Sequence, residues 1–410
     1  MKNYTETMNR IMKAEVDEGR VKGNSALVFK NGMEVYYGEF GYADAEKEKP
    51  MKRDTIIRLF SMTKPITAVA AMIAQERGLI DLNDPVSMYL PEYANMNVLK
   101  EVKDDEGKVV SYEEVPASGA ITIMNLMTMT SGIPYGEDWE GCSEVGRRMQ
   151  VIFDEIIDGI NKGERISTRE VVRRIALNPL MFEPGERWMY GLSADILAAV
   201  IEVATGERYG EFLKKEIFDP LQMPDTGFFV PKEKWDRFAM SYDYIPKKET
   251  KTGENEFELV AADSCHLGEY YHEDVAYEAG GCGLVSTIDD YAHFAMMLAN
   301  GGIYKGQRII SSASVKFLAT NHLTSEQTAA LDWDSNRGYG YGCLMRVLVN
   351  QGRAGSQASL GEFGWDGWTG NYMCIDPEKK LALLYFIQRR GAGTTPLVRK
   401  LRAVTYGALD

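Results

Sequence analysis

The dipeptide Asn31-Gly32 constrains the fold more than any other feature of the chain. It separates two β-prone runs, residues 25–30 and 33–39, in NSALVFKNGMEVYYGEFGYAD. Asn and Gly tolerate the positive φ of a two-residue hairpin turn, so the two runs must pair antiparallel. Ahead of them Met8, Ile11, Met12 and Val16 recur at helical spacing within residues 4–20. The chain therefore opens helix, strand, strand.

Its other end mirrors that order. Short strands are predicted at 339–349 and 371–387, followed by a helix at 395–408. The stretch between is mainly helical. An apolar helix at 62–78 closes on Gly78, helical patterns fall around 144–160 and 168–177, a buried helix at 193–204 stops at Gly206, and another at 288–300 closes on Gly301-Gly302. Residues 84–135 are mixed and loop-rich, and the polar run 246–256 reads as an exposed loop. The order predicts an α/β (α+β) fold: an antiparallel sheet flanked by helices, built from both chain ends, with a helical subdomain inserted. One domain over 1–410 is expected, its α/β part formed by 1–90 and 280–410 and its helical part by 91–279.

Charge and composition exclude several function classes. With 46 Lys and Arg against 60 Asp and Glu the net charge is −14, which is wrong for a protein that must offset nucleic-acid phosphates. No run of about 18 apolar residues is present, so no membrane span is expected. The N-terminal segment has no apolar stretch fit for a signal-peptide core, and a cytoplasmic location is expected. The five cysteines (142, 265, 282, 343 and 374) are odd in number and form no Cys-x-x-Cys pair, which fits free thiols in a reducing compartment.

The common hydrolase constellations are missing. There is no Gly-x-Ser-x-Gly elbow. His266, His272, His293 and His322 form neither His-x-His nor His-Glu-x-x-His, so no zinc ligand set is evident. One other activated serine is available. Ser61-Met62-Thr63-Lys64 is the sole Ser-x-x-Lys in the chain, and it opens the apolar helix. Positions i and i+3 share a helix face, so the amine can reach the hydroxyl. Burial disfavours the charged form of an amine, and a neutral amine can take the serine proton. The helix N-terminus favours an oxyanion. Pro65 is tolerated in the first turn, whose N–H groups lack intrahelical partners. The bland alternative makes Ser61 an N-cap and Lys64 a solvated residue, although a cation there opposes the helix dipole.

Four ordered segments carry a family resemblance. RLFSMTKPITAVA (58–70) resembles the nucleophile segment of the serine β-lactamase-like superfamily, which includes class C β-lactamases, penicillin-binding proteins and family VIII carboxylesterases. NLMTMTSGIPYG (125–136), FEPGERWMYGLSADILAAVIEVATG (182–206) and GGCGLVSTIDDYAHFAMMLANGG (280–302) resemble later blocks in the family's order. The resemblance implies a β-lactamase/transpeptidase-like fold, Ser61 as acylated nucleophile, Lys64 as its base and Tyr190 as a proton-shuttling phenol. It implies an oxyanion hole from the backbone N–H groups of Ser61 and Trp368, and neither cofactor nor metal.

The departures from the family pattern bear on substrate. Leu192 stands where β-lactamases carry the Asn of Tyr-x-Asn. Trp365-Asp366-Gly367 stands where they carry Lys-Thr-Gly, and Gly367 would admit a close approach by substrate. The literal Lys251-Thr252-Gly253 lies in the wrong place, as does the literal Tyr93-Ala94-Asn95. An acidic side chain opposes the carboxylate of a β-lactam but not a neutral ester. Trp365, Trp368, Tyr135 and Trp188 could line an apolar acyl pocket. The expected activity is that of a carboxylesterase on small esters. A β-lactamase or a D-amino-acid peptidase or amidase of the same fold is the alternative, and an acyl-binding or penicillin-sensing protein without turnover is the alternative of another class. The expected partner is a small ester or amide, with no nucleic acid and no membrane.

Overall fold

The computed structural model describes residues 2–246, 257–262, 271 and 275–408. Its main sheet has strands β1 (Gly23–Lys30), β2 (Met33–Asp44), β3 (Lys49–Pro50), β4 (Tyr339–Tyr341), β5 (Arg346–Leu348), β6 (Phe363–Gly364), β7 (Tyr372–Asp376) and β8 (Leu381–Phe386). Their spatial order is β4-β5-β6-β7-β8-β1-β2-β3, and every neighbouring pair is antiparallel. The last strand of the chain lies beside the first, so the two chain ends close one sheet. At the β1–β2 turn Lys30 faces Met33, and both Asn31 (φ +53°) and Gly32 (φ +75°) are left-handed, the conformation a tight hairpin demands.

Side chains alternate across the sheet with period two. On β8, Leu381, Leu383 and Tyr385 face one core, while Ala382, Leu384 and Phe386 face the other. The first core is covered by helix α1 (Lys2–Asp17), through Tyr4, Met8 and Met12, and by the C-terminal helix, through Leu397, Val398 and Leu401. The second is continuous with the helical region. That region contains α2 (Thr63–Glu76), α3 (Ile123–Met127), α4 (Glu144–Asn161), α5 (Thr168–Ile175), α6 (Ser193–Thr205) and α7 (Ile288–Ala299). We call the C-terminal helix α8 (Pro396–Ala408).

Two sequence expectations change. The predicted strand at 339–349 is a hairpin. Its chain reverses where Gly342 N–H donates to Met345 O (2.8 Å) and Leu344 adopts φ +55°. Within 84–135 a second hairpin pairs Asn97–Lys103 with Val109–Pro116. Most of its residues are exposed on both faces, so it carries no apolar alternation for a sequence reading to detect. Of the loop expected at 246–256, residues 247–256 lie outside the described residues. Cys142, Cys282, Cys343 and Cys374 are free thiols, and Cys265 lies outside the described residues. Among the described residues, no helix is long and apolar enough to cross a membrane.

Candidate active site

Ser61 lies in a one-turn 3₁₀ segment, Phe60–Met62, directly before α2. It is not an N-cap: Met62 holds that position, and no side chain caps the helix. Phe60 takes φ +47°, a costly backbone conformation for a bulky residue. The Trp368 ring meets Phe60 edge-on, with centroids 5.2 Å apart. The backbone just ahead is clamped by amide side chains. Asn371 Nδ2 and Gln388 Nε2 donate to Arg58 O (2.7 and 3.1 Å), and Arg58 N–H donates to Gln388 Oε1 (3.1 Å). The strained turn is thus held from both sides, which presents a partly exposed Ser61 at the tip of a buried helix.

Lys64 is fully buried. Its Nζ donates to Gly281 O (2.8 Å) and to Tyr135 Oη (2.9 Å), and Ser61 Oγ lies 3.3 Å away. With two N–H groups so engaged, the third position faces the nucleophile. It holds an N–H in the ammonium and a lone pair in the amine. The 280–284 segment is what aligns this helix face. Thr67 Oγ1 donates to Gly280 O (2.6 Å), Leu284 N–H donates to Thr63 Oγ1 (3.1 Å), and Leu59 N–H donates to Leu284 O (2.9 Å). Side chains would not fit there: a Cβ on Gly280 would clash with Ala194 O, and one on Gly281 would come within 2.5 Å of Asp195 Oδ2.

Two tyrosines flank the lysine. The 125–136 loop and the segment before α6 run together: Met189 N–H donates to Met129 O (2.8 Å), and Ser131 and Ser193 hydroxyls are 2.8 Å apart. This sets the Tyr135 and Tyr190 rings 5.5 Å apart. Lys64 Nζ sits 4.6 Å from the Tyr190 ring centroid, a cation–π distance. Tyr190 Oη accepts from Trp365 Nε1 (3.2 Å). The phenol in hydrogen-bond contact with the lysine is therefore that of Tyr135, read from sequence only as a pocket wall. Burial holds the Tyr135 hydroxyl well above the usual phenol range, which keeps it protonated.

Beyond Tyr190 stands an aromatic wall. Trp365 (5.5 Å), Trp333 (5.1 Å) and Trp188 (6.3 Å) contact the Tyr190 ring, and Tyr341 packs against both Trp188 and Trp365 (5.5 and 5.3 Å). Trp333 was not legible as a site residue: it sits in a polar stretch with no motif, and only the fold brings it here. It is also the exposed member of the group, at 40%.

The other sequence candidates fall nearby with different duties. Trp368 is not in the aromatic wall; besides Phe60 its ring carries the Arg390 guanidinium at 5.3 Å. The close approach at Gly367 is to protein, since a Cβ there would lie 2.5 Å from Leu59 O. Leu192 is buried in the core at the start of α6. The Asp366 carboxyl accepts from the Thr394 hydroxyl and lies 4.0 Å from the buried Arg346 guanidinium. Burial raises its pKa, against the pull of Arg346. Tyr93 is a core residue whose hydroxyl donates to Val172 O (2.9 Å). Lys251-Thr252-Gly253 lies outside the described residues, as do His266 and His272. Ring nitrogens of His293 and His322 contact backbone carbonyls of Gln222 and Phe317. Among the described residues, no group of three or more His, Cys, Asp or Glu is placed to hold a metal.

Sequence reasoning missed one buried group. Asp195, in the first turn of α6, is 1% exposed. Tyr277 Oη donates to its Oδ1 (2.8 Å), as does Gly281 N–H (3.3 Å). A carboxylate inside the apolar run SADILAAVIEVA was the available signal, because a charge on a buried helix calls for a partner.

Comparisons with known proteins identify the family and the fold. The Beta-lactamase family model matches residues 8–406. Esterase EstB of Burkholderia gladioli is 30% identical over 397 residues, covering 95% of this chain and 92% of the esterase. Penicillin-binding protein 4* of Bacillus subtilis is 28% identical over 368 residues, covering 88% and 67%. Among solved structures, EstCE1, a hydrolase with promiscuous acyltransferase activity, superposes with a TM-score of 0.76 at 24% identity, covering 99% of both chains. Simvastatin synthase (LovD) from Aspergillus terreus superposes with a TM-score of 0.76 at 22% identity, covering 98% of both. The fold is that of the β-lactamases and transpeptidases, and the chain belongs to the beta-lactamase family, a family of serine hydrolases.

Proposed function

We propose that this protein is a carboxylesterase that cleaves small neutral esters through a covalent acyl-enzyme on Ser61. The observation that carries the reading is the buried Lys64 amine, held by Gly281 O and Tyr135 Oη with its remaining position 3.3 Å from Ser61 Oγ. Ser61 Oγ attacks the ester carbonyl carbon as its proton passes to Lys64. Backbone N–H groups of Ser61 and Trp368 stabilise the oxyanion. The tetrahedral intermediate collapses, and the departing alkoxide takes the proton from Lys64. Water then gives a proton to Lys64 while its oxygen attacks the acyl carbon. Collapse returns the proton to Ser61 and releases the acid.

Three observations favour esters over β-lactams. By the family resemblance Asp366 stands where β-lactamases bind a drug's carboxylate, and its own carboxyl is engaged by Thr394 and Arg346. The wall beside Tyr190 is aromatic and suits an uncharged acyl group. A relative 30% identical over nearly the whole chain is named an esterase.

The test is turnover of p-nitrophenyl butanoate by wild type and Ser61→Ala, with a chromogenic cephalosporin in parallel. Ester turnover is expected, with kcat/KM falling by at least about 1,000-fold in the variant. Faster cephalosporin cleavage would overturn the substrate assignment, and a burst without a steady state would point to the sensing alternative. A second reading concerns the phenol. The Lys64–Tyr135 hydrogen bond favours Tyr135 as the group that relays the proton, where the family resemblance favours Tyr190. The shuttle contributes about 100-fold or more to the rate, so whichever of Tyr135→Phe and Tyr190→Phe loses that factor in kcat identifies it.

A further inference from the structure

The mechanism above gives no role to Asp195, the buried carboxyl behind Lys64. This carboxyl is nearly fully buried, and an isolated buried carboxylate is too costly to keep without a specific partner. Tyr277 Oη and Gly281 N–H, both uncharged, donate to its Oδ1. The α6 N-terminus adds a favourable dipole. A cation, Lys64, lies on the other side of Gly281. A Cβ built on Gly281 would stand 2.5 Å from Asp195 Oδ2 and 3.4 Å from Lys64 Nζ. The two charges therefore stand within about 6 Å of each other, the range over which an opposite charge favours the ionised form of its partner. The peptide between them is bound at both ends: Gly281 N–H points to Asp195, and Gly281 O accepts from Lys64.

We propose that Asp195 is a positioning residue for the acylation step, orienting the Gly281 peptide on which Lys64 rests and placing a counter-charge behind the lysine amine. The proposal rests on the reading of Lys64 as the base of Ser61. The electrostatics agree with it: burial raises the Asp195 pKa, and the Lys64 charge is the largest influence opposing that rise. The other titratable groups facing Asp195 are phenols, those of Tyr277, Tyr93, Tyr135 and Tyr209. Tyr93, Tyr135 and Tyr209 all have raised pKa values through burial and stay neutral. Lys64 is faced by Tyr135, by the Tyr190 ring and, at longer range, by the Asp366 carboxyl. Asp195 is the member of this set bound to the same peptide as the lysine.

The test uses Asp195→Asn, which keeps the side chain's shape and its acceptor for Tyr277 but removes the charge. The readout is the rate at which a fluorophosphonate labels Ser61, followed by intact mass from pH 5 to 10. Labelling displaces fluoride with Ser61 Oγ and needs no deacylation, so it reports the activated serine even if no ester is turned over. p-Nitrophenyl butanoate hydrolysis is measured alongside. Removing a negative charge near an amine favours its neutral form. The acid limb of the labelling profile should therefore move to lower pH, by about one to two units for charges this close. In ester hydrolysis kcat should fall with KM changed less than about threefold. Tyr277→Phe, which withdraws one hydrogen bond from the carboxylate, should move the limb in the same sense by less, and it carries the test if Asp195→Asn does not fold. A limb that stays in place in the folded variant overturns the proposal and leaves Asp195 a structural cap. Loss of ester turnover in wild type with the limb shift intact would overturn only the esterase reading.

Discussion

Two aspartates in this fold occupy equivalent positions and meet opposite fates. Asp195 and Asp290 each lie in the first turn of a helix, α6 and α7, and both are buried. Burial raises the pKa of both carboxyls. Asp195 faces a buried cation across one glycine. Asp290 is met by neutral donors: Asp225 N–H (2.7 Å) and the Thr226 hydroxyl (2.9 Å) both donate to its Oδ2. A nearby carboxylate, Asp225, adds repulsion. The contrast separates a carboxylate kept for chemistry from one kept to tie a loop to a helix. Burial and helix position alone do not distinguish them; the charge on the other side does.

The sharpest way to break the comparison is at the glycine itself. Gly281→Ala places a methyl 2.5 Å from Asp195 Oδ2, and the buried carboxylate must turn or the peptide must move. Either displaces the carbonyl that holds Lys64. A shift of about 1 Å in such a group costs on the order of 100-fold in rate, so kcat/KM for p-nitrophenyl butanoate should fall by about that factor. Unchanged kcat/KM would mean that the Gly281 carbonyl does not set the lysine. The Asp290 carboxylate instead ties Asp225 and Thr226 to α7, so substitutions there should register in stability and not in rate.

How much of this was legible from the sequence differs between the two parts of the molecule. The sheet was readable because Asn31-Gly32 is a local signal tied directly to backbone geometry, and because β1, β7 and β8 are short β-prone runs, buried on both faces. Ser61 and Lys64 could be paired from sequence because they lie only three positions apart, across a 3₁₀ turn that runs directly into α2. The remaining site residues come from contacts no local pattern encodes. Tyr135 reaches Lys64 because a loop bridge pairs Pro134 with Gly191. Trp333 reaches Tyr190 from a polar turn more than a hundred residues later. Asp195 and Asp290 look alike in sequence, each an acid near the head of an apolar helix, and only their neighbours across space tell them apart.

The pH dependence of stability tests the Asp290 side. Its folded pKa is raised to about 6 from an ordinary value of 3.8. A carboxyl with a raised folded pKa stabilises the fold in its protonated form, below the unfolded pKa, and that contribution is lost as pH climbs through the folded value. The window is therefore about pH 4 to 6, and the loss amounts to roughly 2–3 kcal/mol, fully developed near pH 7. Asp290→Asn keeps an oxygen acceptor for Asp225 N–H and the Thr226 hydroxyl while never ionising. The variant should thus match wild type near pH 4 and exceed it near pH 8, by a few degrees in Tm, with kcat/KM unchanged. A variant less stable than wild type by the same margin at both pH values would show that Asp290 is paired as well as Asp195. The charge on the far side of the carboxylate would then no longer separate the two.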